Sequence, residues 1–263
     1  MALGDSFTEG LEDVWGPDGR HRGWADRVAL ALATRQGRIE YANLAVRGRL
    51  LDQVVTDQVP AALSLRPALV SFHAGANDLL RPRVDVGSVV SRYRRVVEDL
   101  AGAGARVVLF TVIEGSGGSG RTAAALAERF GTFNAAARSV AAATGAVVVD
   151  VGRHASLRDR RLWHEDRLHL NADGHARVAT AVLEALGADD PALLGGPLGW
   201  WSQALPTAAP VSRLRSVRDD VRWVRRHLLP WVGRRLRGVS SGDAVTPKHP
   251  HLVTITPDDA PAP

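Results

Sequence analysis

Short, nearly continuous apolar runs alternate with longer amphipathic stretches through the first 187 residues of the chain. An apolar run of about 4–8 residues between turn-forming residues is typical of a strand that is buried on both faces. The sequence predicts a first strand that ends at Leu3, ahead of Gly4. Four further strands are predicted at residues 39–44, 68–74, 106–113 and 146–151.

The longer stretches carry apolar residues at the spacing of an amphipathic helix. Residues 86–101 are the clearest case, with Val89, Tyr93, Val96 and Leu100 on one predicted face. The other predicted helices are at residues 24–34, 50–65 (interrupted at Pro60), 122–143 and 171–186. Strands that alternate with helices in this way predict an α/β fold, with a parallel sheet covered on both faces.

The composition changes after residue 187, where the predicted domain of residues 1–187 ends. Residues 188–211 contain glycine, proline and tryptophan and are predicted to form a linker or a segment that wraps the domain. Residues 212–238 are predicted to form a basic amphipathic helix, and residues 239–263 a disordered tail. The apolar residues of the basic helix are spaced three and four positions apart: Leu214, Val217, Val221, Val224 and Leu228.

Positive charge is concentrated in the basic helix. The 263-residue chain has a formal net charge of +5, yet residues 212–238 alone carry +7 and residues 1–211 are neutral in sum. A neutral domain argues against nucleic acid as a partner of the domain as a whole. The helix itself has three interpretations, of which docking on the domain or on a partner protein is favoured. The others are contact with an anionic membrane surface and, with no recognition motif to support it, nucleic-acid binding.

Several classes of protein are excluded by what the sequence lacks. Without cysteine the chain has no disulfide, no thiolate zinc site and no cysteine nucleophile. No apolar run reaches the roughly 18 residues of a membrane span, and no secretory signal pattern is present. A cytoplasmic location is therefore expected, although the shortness of the first strand leaves open a natural start upstream of Met1.

The first predicted strand runs directly into Gly4-Asp5-Ser6. Glycine allows a sharp turn there, so that the Ser6 hydroxyl lies at the carboxyl edge of the sheet, where α/β proteins bind their ligands. A serine becomes an effective nucleophile when a neighbouring base takes its proton. His169 is the preferred base, because Asp166 lies three residues before it and can hold the imidazole. The sequence therefore predicts a catalytic triad of Ser6, His169 and Asp166.

Acyl transfer also requires hydrogen-bond donors for the oxyanion that develops on the substrate. The candidates are the backbone N–H groups of Ser6 and Gly48 and the side-chain amide of Asn77, which follow predicted strands. Gly48 has no side chain to obstruct the close approach of a substrate oxygen.

These four segments resemble the sequence blocks of the SGNH-hydrolase, or GDSL esterase/lipase, family. The residues that name the family match Ser6, Gly48, Asn77 and His169, in the family's order. The resemblance covers about residues 1–187. It implies a flavodoxin-like three-layer α/β/α fold and hydrolysis of esters or acyl groups without a cofactor, and no metal ion is expected.

The expected substrate is a small or medium acyl ester. Lipase, thioesterase, carbohydrate deacetylase and general carboxylesterase activities all stay open at this stage. An alternative is a non-catalytic protein that binds an acylated ligand or a protein partner and is localised by its basic helix. The glycine- and serine-rich residues 115–120 lack the lysine of a phosphate-binding loop and are expected to form a loop over the site.

Overall fold

The computed structural model describes residues 1–16, 19–113, 120–209 and 212–260, without the side chains of residues 235 and 236. The loop predicted at residues 115–120 therefore lies outside the described residues, apart from Gly120. The strands are β1 Ala2–Gly4, β2 Ile39–Asn43, β3 Leu69–His73, β4 Arg106–Phe110, β5 Val147–Val149 and β6 His249–Ile255. They form one sheet in the order β5-β4-β3-β1-β2-β6, in which β1 to β5 are parallel.

Helices cover both faces of this sheet. They are α1 Ser6–Glu9, α2 Gly23–Gln36, α3 Leu51–Asp57, α4 Val59–Leu65, α5 Ala76–Leu79, α6 Val86–Gly102, α7 Arg121–Thr144, α8 Ala172–Ala185, α9 Pro191–Leu194, α10 Arg213–Trp223 and α11 Leu229–Leu236. The core on one face of the sheet includes residues of α3, α4, α6 and α7, and the core on the other includes residues of α2 and α8. The predicted three-layer α/β fold is confirmed.

Alternate residues of the strands face opposite cores. In β4, Val107 and Leu109 belong to the core under α6 and α7, whereas Val108 and Phe110 belong to the core under α2 and α8. Because successive strand side chains point to opposite faces, a strand buried on both sides needs apolar residues at every position. The continuous apolar runs of the sequence are the direct result.

The prediction of a disordered C-terminal tail is wrong for its central part. Strand β6 pairs antiparallel with β2, with Tyr41 opposite Val253, so the sheet is mixed. The Lys248 ammonium group lies 2.6 Å from the Asp26 carboxylate and is almost completely buried. Proline in this segment suggested disorder, but an edge strand pairs on one side only and tolerates a residue such as Pro250.

The described part of the predicted linker, residues 188–209, includes a stretch that packs along α8. The Thr180 hydroxyl donates a hydrogen bond to the Leu194 carbonyl oxygen (2.9 Å), and the Trp201 indole donates one to Glu184 (2.7 Å). The Arg177 guanidinium donates to the Trp201 carbonyl oxygen at 2.7 Å. Residues 191–203 thus belong to the surface of the domain rather than to a free connection.

The predicted basic helix forms as α10 and α11, which are joined by a π-helical turn at Val224–Leu228. The favoured interpretation of its apolar residues is docking on the domain or on a partner protein. Leu214, Val217 and Val221 do not dock on the domain, and docking on a partner protein stays a prediction. The side chains of Leu214, Val217 and Val221 are more than half exposed, and the helix contacts the domain through Asp220 and Trp223 instead. Among the described helices, none combines the length and apolar character needed to cross a bilayer.

Candidate active site

Ser6 is the first residue of α1, directly after β1. The Gly4 backbone has φ +151°, and a β-carbon there would lie 2.4 Å from the His73 carbonyl oxygen, so the position requires glycine. Asp5 caps α1, because its carboxylate accepts a hydrogen bond from the Phe7 backbone N–H at 3.1 Å. This tight turn holds the Ser6 side chain at the carboxyl edge of the sheet.

The Ser6, His169 and Asp166 side chains form a continuous hydrogen-bonded chain. The Ser6 hydroxyl lies 3.0 Å from His169 Nε2, and His169 Nδ1 lies 2.6 Å from Asp166 Oδ2. The other carboxylate oxygen of Asp166 accepts hydrogen bonds from the backbone N–H groups of Leu168 (2.9 Å) and His169 (3.0 Å). Residues that are 163 positions apart in the chain thus meet in one chemical unit.

The surroundings of Asp166 favour its ionised form. Partial burial by itself raises the pKa of this carboxyl group. The hydrogen bond and charge interaction with His169, together with the two backbone N–H donors, outweigh burial and hold the pKa well below its usual range. Asp166 therefore stays anionic at every pH at which a histidine base can work.

Gly48, in the loop before α3, and Asn77, in the short helix α5, both follow parallel strands of the sheet. The Gly48 backbone has φ +73°, a conformation that favours glycine. The Asn77 side-chain amide donates hydrogen bonds to Asp5 Oδ2 (3.2 Å) and to the Arg49 carbonyl oxygen (3.0 Å). These bonds use both amide hydrogens, so an oxyanion bound by Asn77 has to share or replace one of these acceptors.

A buried glutamine that the sequence analysis missed fixes the backbone before Ser6. The Gln58 side chain accepts a hydrogen bond from the Gly4 N–H (2.8 Å) and donates one to the Gly4 carbonyl oxygen (2.9 Å). Gln58 is 3% exposed. The two bonds join β1 to the residue between α3 and α4 across 54 residues of sequence, and no local pattern indicated them.

Replacing Gln58 with leucine is expected to lower the free energy of unfolding by about 1–3 kcal/mol. The apolar side chain leaves the buried Gly4 N–H without a partner, at a cost of about 1–3 kcal/mol, whereas the Gly4 carbonyl oxygen keeps its hydrogen bond from the Val46 N–H (3.2 Å). Urea unfolding followed by circular dichroism measures the change. Gln36→Leu, at an exposed position, is the matched control and should change stability by about 0.5 kcal/mol or less. Equal stability of the two variants would contradict the prediction.

A second missed contact holds the loop that contains Gly48. Glu9, which is 6% exposed, accepts a hydrogen bond from the Arg47 backbone N–H at 2.6 Å and pairs with the Arg47 guanidinium. Because Arg47 directly precedes Gly48, this ion pair ties the loop to α1, the helix that begins with Ser6. Charge pairs between distant loops leave no periodic signal in a sequence.

The C-terminal segment, residues 212–260, reaches both sides of the site. The Trp223 indole N–H donates to the Asp166 carbonyl oxygen (2.7 Å), and Arg167 pairs with Asp220 (2.6 Å). On the other side, the Ser240 hydroxyl donates to the Gly48 carbonyl oxygen (3.3 Å). This contact with the site was not predicted, because the sequence pattern of an exposed helix does not indicate which part of the domain it contacts.

The remaining histidines of this region have other partners. His164 lies with Glu12 and Asp166 in a group whose ligand atoms are within 4.8 Å of one another, the one group of metal-ligand type in the described ranges. Its Nε2 is 3.3 Å from Glu12 Oε2 and its Nδ1 is 3.7 Å from Asp166 Oδ2. The Asp166 oxygen nearest to His164 already pairs with His169 Nδ1 at 2.6 Å. His73 is buried in β3, as the sequence indicated.

His175 is fully buried in α8, with Nε2 3.1 Å from the Leu11 carbonyl oxygen. Burial lowers the pKa of His175 to about 4, since the charged imidazolium loses its hydration. An unfolded histidine titrates at about 6.5, so the unfolded chain takes up this proton first as the pH falls. Stability due to His175 is complete above about pH 6.5 and decreases down to about pH 4.

The free energy of unfolding is therefore expected to fall by about 2 kcal/mol more between pH 7 and pH 5 in the natural chain than in a His175→Gln variant. Urea unfolding at both pH values measures this difference. His251→Gln, at an exposed position, serves as the control and should keep the pH dependence of the natural chain. Parallel stability curves for the natural chain and His175→Gln would contradict the effect of burial.

An open groove elsewhere on the surface has a volume of about 670 Å³ and lies between α2 and α8. Its lining includes Leu30, Ala179 and Trp200, and none of the Ser6, Asp166 or His169 side chains. The groove is therefore separate from the hydrogen-bonded chain described above.

Comparison with known proteins gives the family of this chain. The model of the GDSL-like lipase/acylhydrolase family matches residues 2–177. The chain belongs to this family. As a GDSL-type esterase or acylhydrolase it acts on ester bonds, and small ester compounds are its substrates. No curated protein sequence matches the chain.

Solved structures of esterases have the same fold. Axe2, an acetylxylan esterase from Geobacillus stearothermophilus, has a TM-score of 0.58 at 18% identity, covering 71% of this chain and 93% of its own. The psychrotrophic esterase EstA from Pseudoalteromonas sp. has a TM-score of 0.55 at 17% identity (70% and 94%). A lipase/acylhydrolase from Enterococcus faecalis has a TM-score of 0.56 at 20% identity (70% and 93%). This GDSL-type hydrolase is thus similar in fold to an acetylxylan esterase, a psychrotrophic esterase and a lipase/acylhydrolase.

Proposed function

We propose that this GDSL-type hydrolase cleaves small or medium acyl esters through a covalent acyl-enzyme on Ser6. The observation that carries the proposal is the hydrogen-bonded chain from the Ser6 hydroxyl through His169 to Asp166, with distances of 3.0 and 2.6 Å. Nucleophile, base and orienting carboxylate within hydrogen-bond reach of one another are the arrangement that activates a serine.

In the first half of the proposed reaction, Ser6 Oγ attacks the ester carbonyl carbon while His169 Nε2 takes the hydroxyl proton. Asp166 keeps the proton of His169 on Nδ1, so that Nε2 is free to accept, and stabilises the imidazolium that forms. The tetrahedral intermediate collapses when His169 passes its proton to the departing alcohol. Water then attacks the acyl-enzyme with His169 again as base, which releases the acid and restores Ser6.

The negative charge of the tetrahedral intermediate needs preorganised donors. We assign the backbone N–H groups of Ser6 and Gly48 and the side-chain amide of Asn77 to this task. The position of Ser6 at the start of α1 supports its part, because the first N–H groups of a helix have no intrahelical acceptor. For Asn77, its bonds to Asp5 and to Arg49, the residue after Gly48, support a location beside the oxyanion.

Labelling with a fluorophosphonate probe tests the activated serine directly. The natural chain should be labelled, and Ser6→Ala and His169→Ala should not. A series of p-nitrophenyl esters from acetyl to longer acyl groups then defines the acyl length, and a short optimum would place the enzyme near the acetyl esterase that it resembles in fold. Labelling that persists in Ser6→Ala would reject the proposal.

The value of kcat/KM is expected to fall as the pH is lowered, because one proton-accepting group, His169, becomes protonated. His169 cannot act as base once it is protonated, so acidification removes the proton acceptor of the proposed mechanism. Asp166 adds no second ionisation there, because its lowered pKa keeps it anionic. Hydrolysis of p-nitrophenyl acetate between about pH 5 and pH 8 measures the profile. A flat profile would count against a histidine base, and a two-proton slope would count against an ionised Asp166.

A further inference from the structure

An exposed apolar row runs along the outer side of α10. The side chains of Leu214, Val217 and Val221 are exposed by 64%, 57% and 51%, although their spacing is that of a buried helix face. The helix uses another side to contact the domain, where Trp223 bonds to the Asp166 carbonyl oxygen. Within the described structure this row therefore covers no core, and its exposure requires another explanation.

Arginines border the row on the side away from the domain. With 3.6 residues per turn, Arg215, Arg218 and Arg222 lie on the flank of the row opposite to Trp223, and all three are exposed. Residues 212–238 carry a net charge of +7, whereas residues 1–211 sum to zero. Residues 213–223 of α10 hold four arginines and two aspartates, a net charge of +2, with Arg222 4.0 Å from Asp219, and the other five arginines follow in the π-helical turn and the residues after it. Positive charge and exposed apolar surface thus lie next to each other on α10.

We propose that this side of α10 binds the surface of an anionic membrane. The apolar row inserts at the boundary between headgroups and acyl chains, while the arginines pair with lipid phosphates. An exposed apolar row gains little from nucleic acid, which offers phosphates but no apolar phase. The charge complementarity therefore fits an anionic lipid surface best.

The same helix joins this surface to the proposed catalytic residues. Val221 is two residues from Trp223, whose indole donates to the Asp166 carbonyl oxygen at 2.7 Å. Asp220 pairs with Arg167, and the Arg167 guanidinium lies 4.8 Å from the centre of the Trp223 ring. A membrane bound at α10 is thus within a few side-chain lengths of the loop that carries His169.

This placement defines the substrate class more narrowly. It rests on the proposed function, and it assigns to Ser6 the acyl esters that are presented at a membrane surface rather than free in solution. Leu168, between Arg167 and His169, is 42% exposed and adds an apolar side chain next to the histidine. The enzyme thereby gains substrate by partitioning to the surface, without any change in its chemistry.

Sedimentation with vesicles tests the membrane contact separately from catalysis. The Ser6→Ala chain is mixed with vesicles of phosphatidylglycerol and phosphatidylcholine, or of phosphatidylcholine alone. Binding is expected to the anionic vesicles only, and to weaken at high salt. Equal pelleting with the two kinds of vesicle, or none with either, would overturn the proposal.

Two triple variants separate the two parts of the surface. Arg215→Gln, Arg218→Gln and Arg222→Gln together are expected to weaken anionic binding on the order of a hundredfold, because each arginine near such a surface contributes about a factor of five. Leu214→Ser, Val217→Ser and Val221→Ser together should weaken it tenfold or more. A matched control removes the same charge elsewhere through Arg35→Gln, Arg38→Gln and Arg95→Gln, and should bind as the parent does. Equal binding by the arginine triple and its control would reject the assignment to α10.

Two further measurements distinguish the alternatives. If a short DNA duplex binds the chain as tightly as the anionic vesicles do, and the serine triple binds the duplex equally well, the ligand of α10 is nucleic acid rather than lipid. In the catalytically intact chain, both α10 triples should hydrolyse soluble p-nitrophenyl acetate normally and lose activity on a fluorogenic long-chain ester carried in anionic vesicles. Failure of the soluble assay in the natural chain would count against the proposed function, whereas unchanged hydrolysis in vesicles by the triples would count against this inference alone.

Discussion

Replacing Ser6 with alanine is expected to reduce kcat for p-nitrophenyl acetate by about 10⁴-fold or more. The hydroxyl that lies 3.0 Å from His169 Nε2 is then absent, so no acyl-enzyme forms. The residual rate comes from oxyanion stabilisation and substrate positioning, which survive the loss of the nucleophile. Folding should be unaffected, because the side chain is small and partly exposed.

Non-additivity makes this test specific. If Ser6 and His169 act as one unit, the double variant Ser6→Ala with His169→Ala should lose about as much activity as either single variant. Losses that multiply would indicate independent roles. Ser64→Ala, which removes an exposed hydroxyl from α4, is the matched control and should keep full activity. A Ser6→Ala variant within tenfold of the natural rate would exclude Ser6 as the nucleophile.

Replacing Asp166 with asparagine is expected to reduce kcat by about 10³–10⁴-fold. The side-chain oxygen of asparagine can still accept from the Leu168 and His169 backbone N–H groups, so the loop keeps its conformation. The amide group then faces His169 Nδ1 as a donor, which moves the imidazole proton to Nε2. An Nε2 that carries a proton cannot accept one from Ser6, and the imidazolium has lost its counter-charge.

Two comparisons separate this tautomer effect from damage to the fold. Thermal unfolding of Asp166→Asn should lie close to that of the natural chain, whereas Asp166→Ala should also lose stability because two backbone donors lose their acceptor. Asp159→Asn is the control for charge, since Asp159 lies nearby in sequence and pairs with Arg161. Full activity in Asp166→Asn would show that His169 needs no carboxylate.

Local sequence patterns identified much of the fold. The apolar run at residues 68–74 became β3, and the helical pattern at residues 86–101 became α6, each within about one residue. The helix predicted at residues 50–65 is interrupted, although the break lies at Gln58 rather than at Pro60, which is the second residue of α4. These features depend on side-chain periodicity and backbone restriction, which act over a few residues and are readable without knowledge of the partners.

The residues of the candidate site could be predicted from the sequence for a related reason. Ser6, Gly48 and Asn77 each follow a strand within a few residues, and parallel strands bring their carboxyl ends to one edge of the sheet. His169 lies further from its strand, in the loop before α8. The sequence therefore indicated their proximity once the α/β fold was predicted. It could not give the bonds of Asn77 to Asp5 and Arg49, which depend on the exact position of α5.

What the sequence alone determined about this protein is the α/β class, the GDSL-type blocks and the residues proposed for the chemistry, because each follows from local pattern. Only the tertiary structure decided that Gln58 fixes Gly4, that Ser240 reaches Gly48 across 192 residues, and that β6 extends the sheet. Such contacts are single pairings between distant segments. They produce no periodic pattern in the sequence and form only when the whole chain has packed. The contacts of the C-terminal segment with the site could therefore be found only in the tertiary structure.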